Sequence, residues 1–501
     1  MVKKSKISLV GLILMIFTAI YGFGNVTIAY AQMGYASIIW YVFAAIIFFL
    51  PSGLMFAEYG SALKDDHGGF YSWLSESVGE KFAFVGTFIW LASWMVWMVS
   101  TSSRVWIPMS TMISGSDQTQ TWSLFGLSSV QTIGLLGFFW IIVVTFFTTK
   151  GIDSIKRVGS IGGTFIMILT AIFLAASIIL LFVNHGHFQE PIHGLASFTK
   201  SPSPAFQSPI AIFSFIVYAI FAYGGMESMG GIVENIDNSE KNFPRGIIIS
   251  TILITVFYAI SIFFWGVSAN WHKVIGGDNV NLGNITYVLM NNLGFFLGDS
   301  LGWSHATSVM VGNSLARFTG LASFLGFVGS FFLMVYSPLK SFIMGSPKEL
   351  WPEKMTKLNK HGMPAFAMWM QAILISAVVL LVSFGGSGAQ KFYLILTDMG
   401  NISTTVPYLF LVGAFPFFKK RTDLNRPFVA FKSKFWTNTI VAIILAVLTL
   451  GIVFTAVEPI LEHDYMTAFW TIIGPVFFGA VALILYSTQT KRAKKINSQN
   501  K

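Results

Sequence analysis

The 501-residue chain is 54% hydrophobic, and only 10% of it is Asp, Glu, Lys or Arg, against about 25% in a soluble domain. That scarcity of charge and a mean hydropathy of +0.70 exclude a soluble enzyme and a disordered chain, since both need far more polar surface; the net charge is +10. The absence of cysteine removes disulfides, thiolate metal sites and cysteine nucleophiles. What remains is an all-α integral membrane protein, because barrel strands alternate polar and apolar residues and leave no long apolar runs.

A bilayer core about 30 Å thick needs roughly 20 apolar residues per spanning helix. The hydropathy pattern predicts twelve such helices, over 7–29, 35–59, 82–112, 129–149, 159–183, 208–233, 246–268, 308–337, 364–384, 390–417, 436–456 and 467–487. The first starts too near Met1 and runs too far for a cleaved signal peptide. No segment reads as a separate soluble domain. Residues 60–81, between the second and third spans, read as a short amphipathic helix lying on the membrane. Ser201-Pro-Ser-Pro204 reads as an extended lead into the sixth span.

Charge asymmetry sets the expected orientation. With the N-terminus inside, 26 of the 31 Lys and Arg residues fall on the inner side. Only Lys200, Lys273 and Lys391 fall outside, and Arg104 and Arg317 lie within spans. Both termini are therefore expected in the cytoplasm of a bacterial-type inner membrane. The basic surface suits anionic headgroups, so nucleic acid is an unnecessary partner.

Glycine clusters interrupt two of the spans, at Tyr21-Gly22-Phe23-Gly24-Asn25 and Tyr223-Gly224-Gly225-Met226-Glu227. They lie in the first and sixth spans, the leading helices of two five-helix groups. Paired interrupted helices point to an inverted-repeat transporter, and an odd-numbered group makes the second copy enter from the opposite side. An unwound turn frees N–H donors at the start of the next half-helix, which suit a carboxylate. The preceding half-helix leaves carbonyls for an ammonium group. The expected ligand is a zwitterionic amino acid. The alternative is that these glycines serve only close helix packing.

The run Gly225-Met-Glu-Ser228, then Glu234-Asn235 and Glu240-Lys-Asn-Phe-Pro-Arg-Gly-Ile247, resembles the sixth-helix signature of the amino acid–polyamine–organocation (APC) superfamily. Gly68-Gly-Phe-Tyr-Ser-Trp73 is similar to its signature after the second helix. The resemblance covers about residues 5–490 and is nearest to the glutamate/γ-aminobutyrate antiporter branch, within it the YjeM-type inner-membrane transporters. It implies a LeuT-type fold: one repeat over 7–183, an inverted second over 208–417, and two peripheral helices over 436–487. It also implies alternating access and amino-acid exchange, with Glu227 at an inner gate and sensing protons. Asn238-Ser239 departs from the Asn-Pro of many members, and Phe23 stands where many have a small residue. Phe23 is expected either to narrow the carboxylate cradle or to turn toward lipid. The short basic tail 491–501 lacks the longer plug of the acid-resistance exchangers.

Intramembrane ionisable residues are functional candidates by default. They are Glu58, Arg104, Glu227, Arg317 and Asp398. Glu227 reads as a gating or coupling group, with a static anchor for unwound backbone as the alternative. Glu58, near a helix end, reads as an interfacial structural residue at least as readily as a functional one. Arg104 could meet a substrate carboxylate or snorkel to headgroups. Arg317 and Asp398 could form a buried pair. Tyr21, Tyr223 and Trp97 are candidate aromatic gates. His185-Gly-His187 resembles half a metal site but reads as a solvated loop; no metal or other cofactor is expected, and no enzyme motif is present. Ser323 and Ser330 are weak pointers to sodium coupling. The competing functions are an exchanger of glutamate-like and GABA-like substrates, a proton-coupled importer, and a transporter-like amino-acid sensor. A homodimer is compatible with all three.

Overall fold

The computed structural model describes residues 6–66, 68–275, 280, 282–386, 388, 391, 395, 399 and 405–499, the last seven by backbone alone. Ten stretches among them are long and apolar enough to cross a bilayer. The first, Leu9–Ala62, makes two crossings. Its chain reverses at Gly34–Ala36, so that the Tyr41 hydroxyl reaches back to donate to the Asn25 carbonyl at 3.3 Å. Val406–Phe418, only 13 residues long, is the described part of the tenth expected span. Its earlier part, including Asp398, lies largely outside the described residues. The protein is thus an all-helical membrane protein. Its described residues hold no strand, only an isolated bridge between Ile7 and Ile236.

Proline marks two irregularities. The third span runs over Glu80–Arg104 and resumes at Trp106–Ser114. The interruption, at Val105, directly follows Arg104, the residue four before Pro108 whose carbonyl the proline ring crowds. In the second span a π-turn, Ala45–Phe49, precedes Pro51, which has no N–H to give. The π-turn carries Phe49 onto Tyr223, stacked at 4.5 Å, and Phe48 onto Tyr408 at 5.1 Å.

Two expectations need correction. The helix expected to lie on the membrane within 60–81 forms over Phe70–Val78, but Phe70, Tyr71, Trp73 and Leu74 are buried. Phe70 stacks on Trp90 at 4.5 Å and Trp73 on Tyr59 at 5.5 Å. Four large side chains in the first five positions make burial in protein more favourable than a shallow interfacial seat. Gly69, at φ +47, lets this helix close on the sixth span: a Cβ there would sit 2.4 Å from the Gly230 carbonyl. The second correction concerns the eighth span. It runs over His305–Gly345, 41 residues, past Pro338. Lys340, assigned by sequence to a loop, is therefore helical and buried.

The first helix packs tightly on the fifth and eighth. A Cβ at Gly163 would lie 2.2 Å from the Leu14 carbonyl, and one at Gly329 would lie 2.6 Å from Thr18 Cγ2. Small residues let these backbones approach, as membrane helices without a hydrophobic driving force require. Beyond its start, Ile7 N–H donates to Asn235 O at 2.8 Å, and Asp237 N–H donates to Ile7 O at 2.9 Å. Lys6 Nζ adds a bond to Glu234 O at 2.8 Å. The N-terminal segment is thereby fastened to the end of the sixth span.

Candidate functional site

Both glycine clusters break their helices. Leu9–Ile20 gives way to extended backbone at Tyr21 and Gly22, and the helix restarts as Phe23–Met33. Pro209–Phe221 gives way to a turn, followed by a 3-10 helix over Met226–Asn235. The second break needs glycine at Gly225. Its φ is +115, a region L side chains avoid, and a Cβ would lie 3.2 Å from the Ala19 carbonyl of the first helix.

The breaks meet at Tyr258, in the helix Ser239–Ser268. Its hydroxyl lies 3.1 Å from the carbonyls of both Ile20 and Ala222. It accepts from Gly22 N–H at 3.1 Å and from Asn25 Nδ2 at 3.3 Å. A hydroxyl has one proton and two lone pairs. Its acceptor capacity is filled, and its single proton is shared between two carbonyls. One carbonyl at the junction therefore always keeps acceptor capacity to spare. On the opposite side, no acceptor among the described residues takes the N–H of Phe23 or Gly24. These donors begin the second half-helix, where the dipole favours an anion. Free donors and a spare carbonyl thus lie on one junction, which suits a small molecule carrying both charges.

Side chains of the expected site residues split between lining and scaffold. Asn25 faces the junction, and its Oδ1 accepts from Tyr218 at 3.4 Å. A Cβ on Gly24 would meet only Thr286 Oγ1, at 3.5 Å. Gly224 faces the Tyr408 hydroxyl, which would lie 3.7 Å from a Cβ. Met226 packs on Gly53. Tyr21 and Tyr223 are buried walls: their hydroxyls bond Ser261 at 3.2 Å and the Tyr41 carbonyl at 3.2 Å. The Phe23 side chain does not turn toward lipid: it is buried edge-on to Phe173 and Trp265, at 5.7 and 6.0 Å. Trp97 packs on Phe331 at 5.2 Å.

Glu227 is 1% exposed. Its Oε1 accepts from Trp90 Nε1 at 3.0 Å and its Oε2 from Gly225 N–H at 3.1 Å. The Tyr408 hydroxyl donates to Oε2 as well, and itself accepts from Gly225 N–H at 2.9 Å. One carboxylate therefore ties the third span, the second break and the tenth helix together. Protonation would replace an acceptor by a donor at Tyr408 or Trp90, so the knot responds to charge.

Of the other charged candidates, Glu58, Arg104 and Arg317 are not brought to the junction. Glu58, fully buried, accepts from Lys419 at 2.8 Å and from Ala430 N–H at 2.8 Å, with Arg426 at 3.5 Å. Arg104 is exposed at the end of its helix. Arg317 caps Trp106–Ser114 by donating to the carbonyls of Met112 and Ile113, a use of cation against helix C-terminus. Asp398, its expected partner, lies outside the described residues. Ser330 spends its hydroxyl on the Thr18 carbonyl at 2.9 Å. A partly buried pair that sequence reasoning missed joins Lys340 to Glu234, with Lys340 also donating to Gly231 O at 2.9 Å. Tyr258, Tyr408 and Trp90 were missed too: nothing separates them by pattern from the other tyrosines and tryptophans. Among the described residues no cluster of His, Asp or Glu could hold a metal.

A helical membrane protein with two opposed helix breaks around a polar junction has the architecture of a small-solute carrier. The amino acid permease family matches residues 7–478, and the chain belongs to that family. It is 50% identical to the inner membrane transporter YjeM of Escherichia coli K12, over 98% of this chain and 97% of the relative. It is 24% identical to the aspartate/glutamate permease AcaP of Lactococcus lactis subsp. cremoris, over 84% and 80%. It is also 24% identical to a glutamate/gamma-aminobutyrate antiporter of Lactococcus lactis subsp. lactis, over 89% and 84%. The protein is a membrane amino-acid transporter, not an enzyme.

Proposed function

We propose that the protein is an amino-acid antiporter of the glutamate/GABA type, with both termini cytoplasmic and two inverted halves, 7–183 and 208–417, rocking about the junction. The substrate carboxylate takes the N–H groups at Phe23 and Gly24, and its ammonium takes the carbonyls at Ile20 and Ala222. Tyr21–Asn25 and Tyr223–Met226 form the site, and Glu227 couples occupancy to the inner side. The observation that carries this reading is the Tyr258 hydroxyl held on both breaks at once. The names of two distant relatives supply the substrate class: acidic amino acids for one, glutamate and GABA for the other.

The test is counterflow in proteoliposomes loaded with unlabelled amino acids, following labelled glutamate and GABA at acidic and neutral pH. Uptake accelerated by one loaded partner supports exchange. Uptake driven by a proton gradient without internal substrate supports a symporter instead. No entry of either label under any loading refutes the glutamate/GABA assignment. A sensor would bind substrate without flux.

A further inference from the structure

An apolar cleft of about 590 Å³ opens between the start of the third span and the helix Val406–Phe418. Its volume falls within the range, about 300–1,000 Å³, of pockets that hold small ligands. One wall is Val78 and Phe82; the other is a stripe from Leu409 through Gly413 to Phe417. Phe82 is 60% exposed and Phe417 50% exposed, so the cleft faces the bilayer. Its lining offers no polar side chain. It ends among basic residues, and most of these are engaged. Lys419 and Arg426 serve Glu58. Arg421 is paired with Glu76 and Asp423. Lys81 and Lys420 are exposed, and no carboxylate among the described residues pairs with either. Lys420 Nζ stands 4.9 Å over the ring of Phe417, a lining residue. Lys81 adjoins Phe82, the opposite wall.

We infer that this cleft binds one anionic phospholipid, an acyl chain between Phe82 and Phe417 and the headgroup phosphate on Lys81 and Lys420. An apolar slot open to hydrocarbon, with the exposed Lys81 and Lys420 flanking its lining residues and neither paired with a described carboxylate, matches an amphiphile with a negative head. Two lysines near an anionic headgroup favour it over a zwitterionic one by roughly tenfold or more. Gly413 allows a clean occlusion. It lines the cleft, and a Cβ there comes no closer than 4.0 Å to Leu445, so a side chain added at this wall starts without a backbone clash.

The experiment is native mass spectrometry of the purified full chain. Phosphatidylglycerol and phosphatidylcholine of equal chain length are titrated separately. Wild type retains one phosphatidylglycerol with at least tenfold preference. Lys81→Gln/Lys420→Gln loses the preference but still takes either lipid. Gly413→Leu lowers retention of both, with its thermal unfolding temperature kept as the check on folding. Equal retention of the two lipids by wild type overturns the inference, as does a preference that survives the double substitution. If Gly413→Leu instead converts dimers to monomers with lipid retention unchanged, the cleft belongs to a second copy and the lipid assignment falls.

Discussion

Replacing Tyr258 by Phe isolates the hydroxyl that joins the two helix breaks. The ring stays, and with it the contacts to Tyr21 at 4.9 Å, Tyr41 at 4.9 Å and Tyr223 at 5.2 Å. What is lost is one donated bond, shared by the carbonyls of Ile20 and Ala222, and two accepted ones from Gly22 and Asn25. At about 0.6 kcal/mol for an interhelical bond in a membrane, three bonds sum to about 2 kcal/mol. A buried group left without a partner adds its desolvation cost and moves the loss toward about 3 kcal/mol. Tyr41→Phe is the comparison. It removes the bond donated to Asn25 O at 3.3 Å and the contact with the Tyr218 hydroxyl, and about 1 kcal/mol is expected. Equilibrium unfolding in mixed micelles measures both, and proteoliposome uptake of the transported amino acid measures function. Tyr258→Phe should lose more stability than Tyr41→Phe and lower uptake. A loss below about 0.5 kcal/mol, the floor for one hydrogen bond, together with unchanged uptake would refute the bridging role.

Other perturbations test other joints. Glu227→Gln keeps the size of the knot but fixes its charge at zero; transport is expected to lose its pH dependence while protein yield holds, and an unaltered pH–rate profile would remove Glu227 as the coupling group. A pH dependence between 5 and 8 cannot come from Asp423 at the surface. Bonding to Arg421 lowers its carboxyl from 3.8 to about 2, so any stability it lends is complete above the ordinary carboxylate value and fades only as pH falls toward 2. Gly225→Ala forces a Cβ against Ala19 O at a positive φ; a cost of about 1–3 kcal/mol and loss of substrate binding are expected in unfolding and binding assays, and full binding would displace the break from the site. Lys340→Met removes the charged partner of the partly buried Glu234 and should cost about 1.5–3 kcal/mol. Adding Glu234→Met should restore most of that loss, and a double variant as unstable as the single would deny the pairing.

The helix breaks were legible because glycine pairs within long apolar runs are hard to explain otherwise, and Tyr21–Asn25 and Tyr223–Glu227 show them directly. Glu58 and Glu227 stood out because charge is scarce there. What closes the site was hidden. Tyr258, Tyr408 and Trp90 act through one polar atom each on an apolar body, and hydropathy counts only the body. Lys340 was misplaced because Pro338 and the charges after it resemble a loop, whereas the helix absorbs one missing N–H bond and continues to Gly345. The helix at Phe70–Val78 reads as amphipathic in one dimension; only the neighbouring Trp90 and Tyr59 make its apolar side a buried one.

The fastening of Ile7 to the segment after the sixth span is made of main-chain bonds. Most changes of side chain leave it intact, and proline at either donor position breaks it. Its two donors, the amides of Ile7 and Asp237, become free only when those segments part. Their hydrogen–deuterium exchange is consequently a clock for that separation. If the first helix swings out in each turnover, substrate should quicken these two amides together and leave those of the surrounding helices slow.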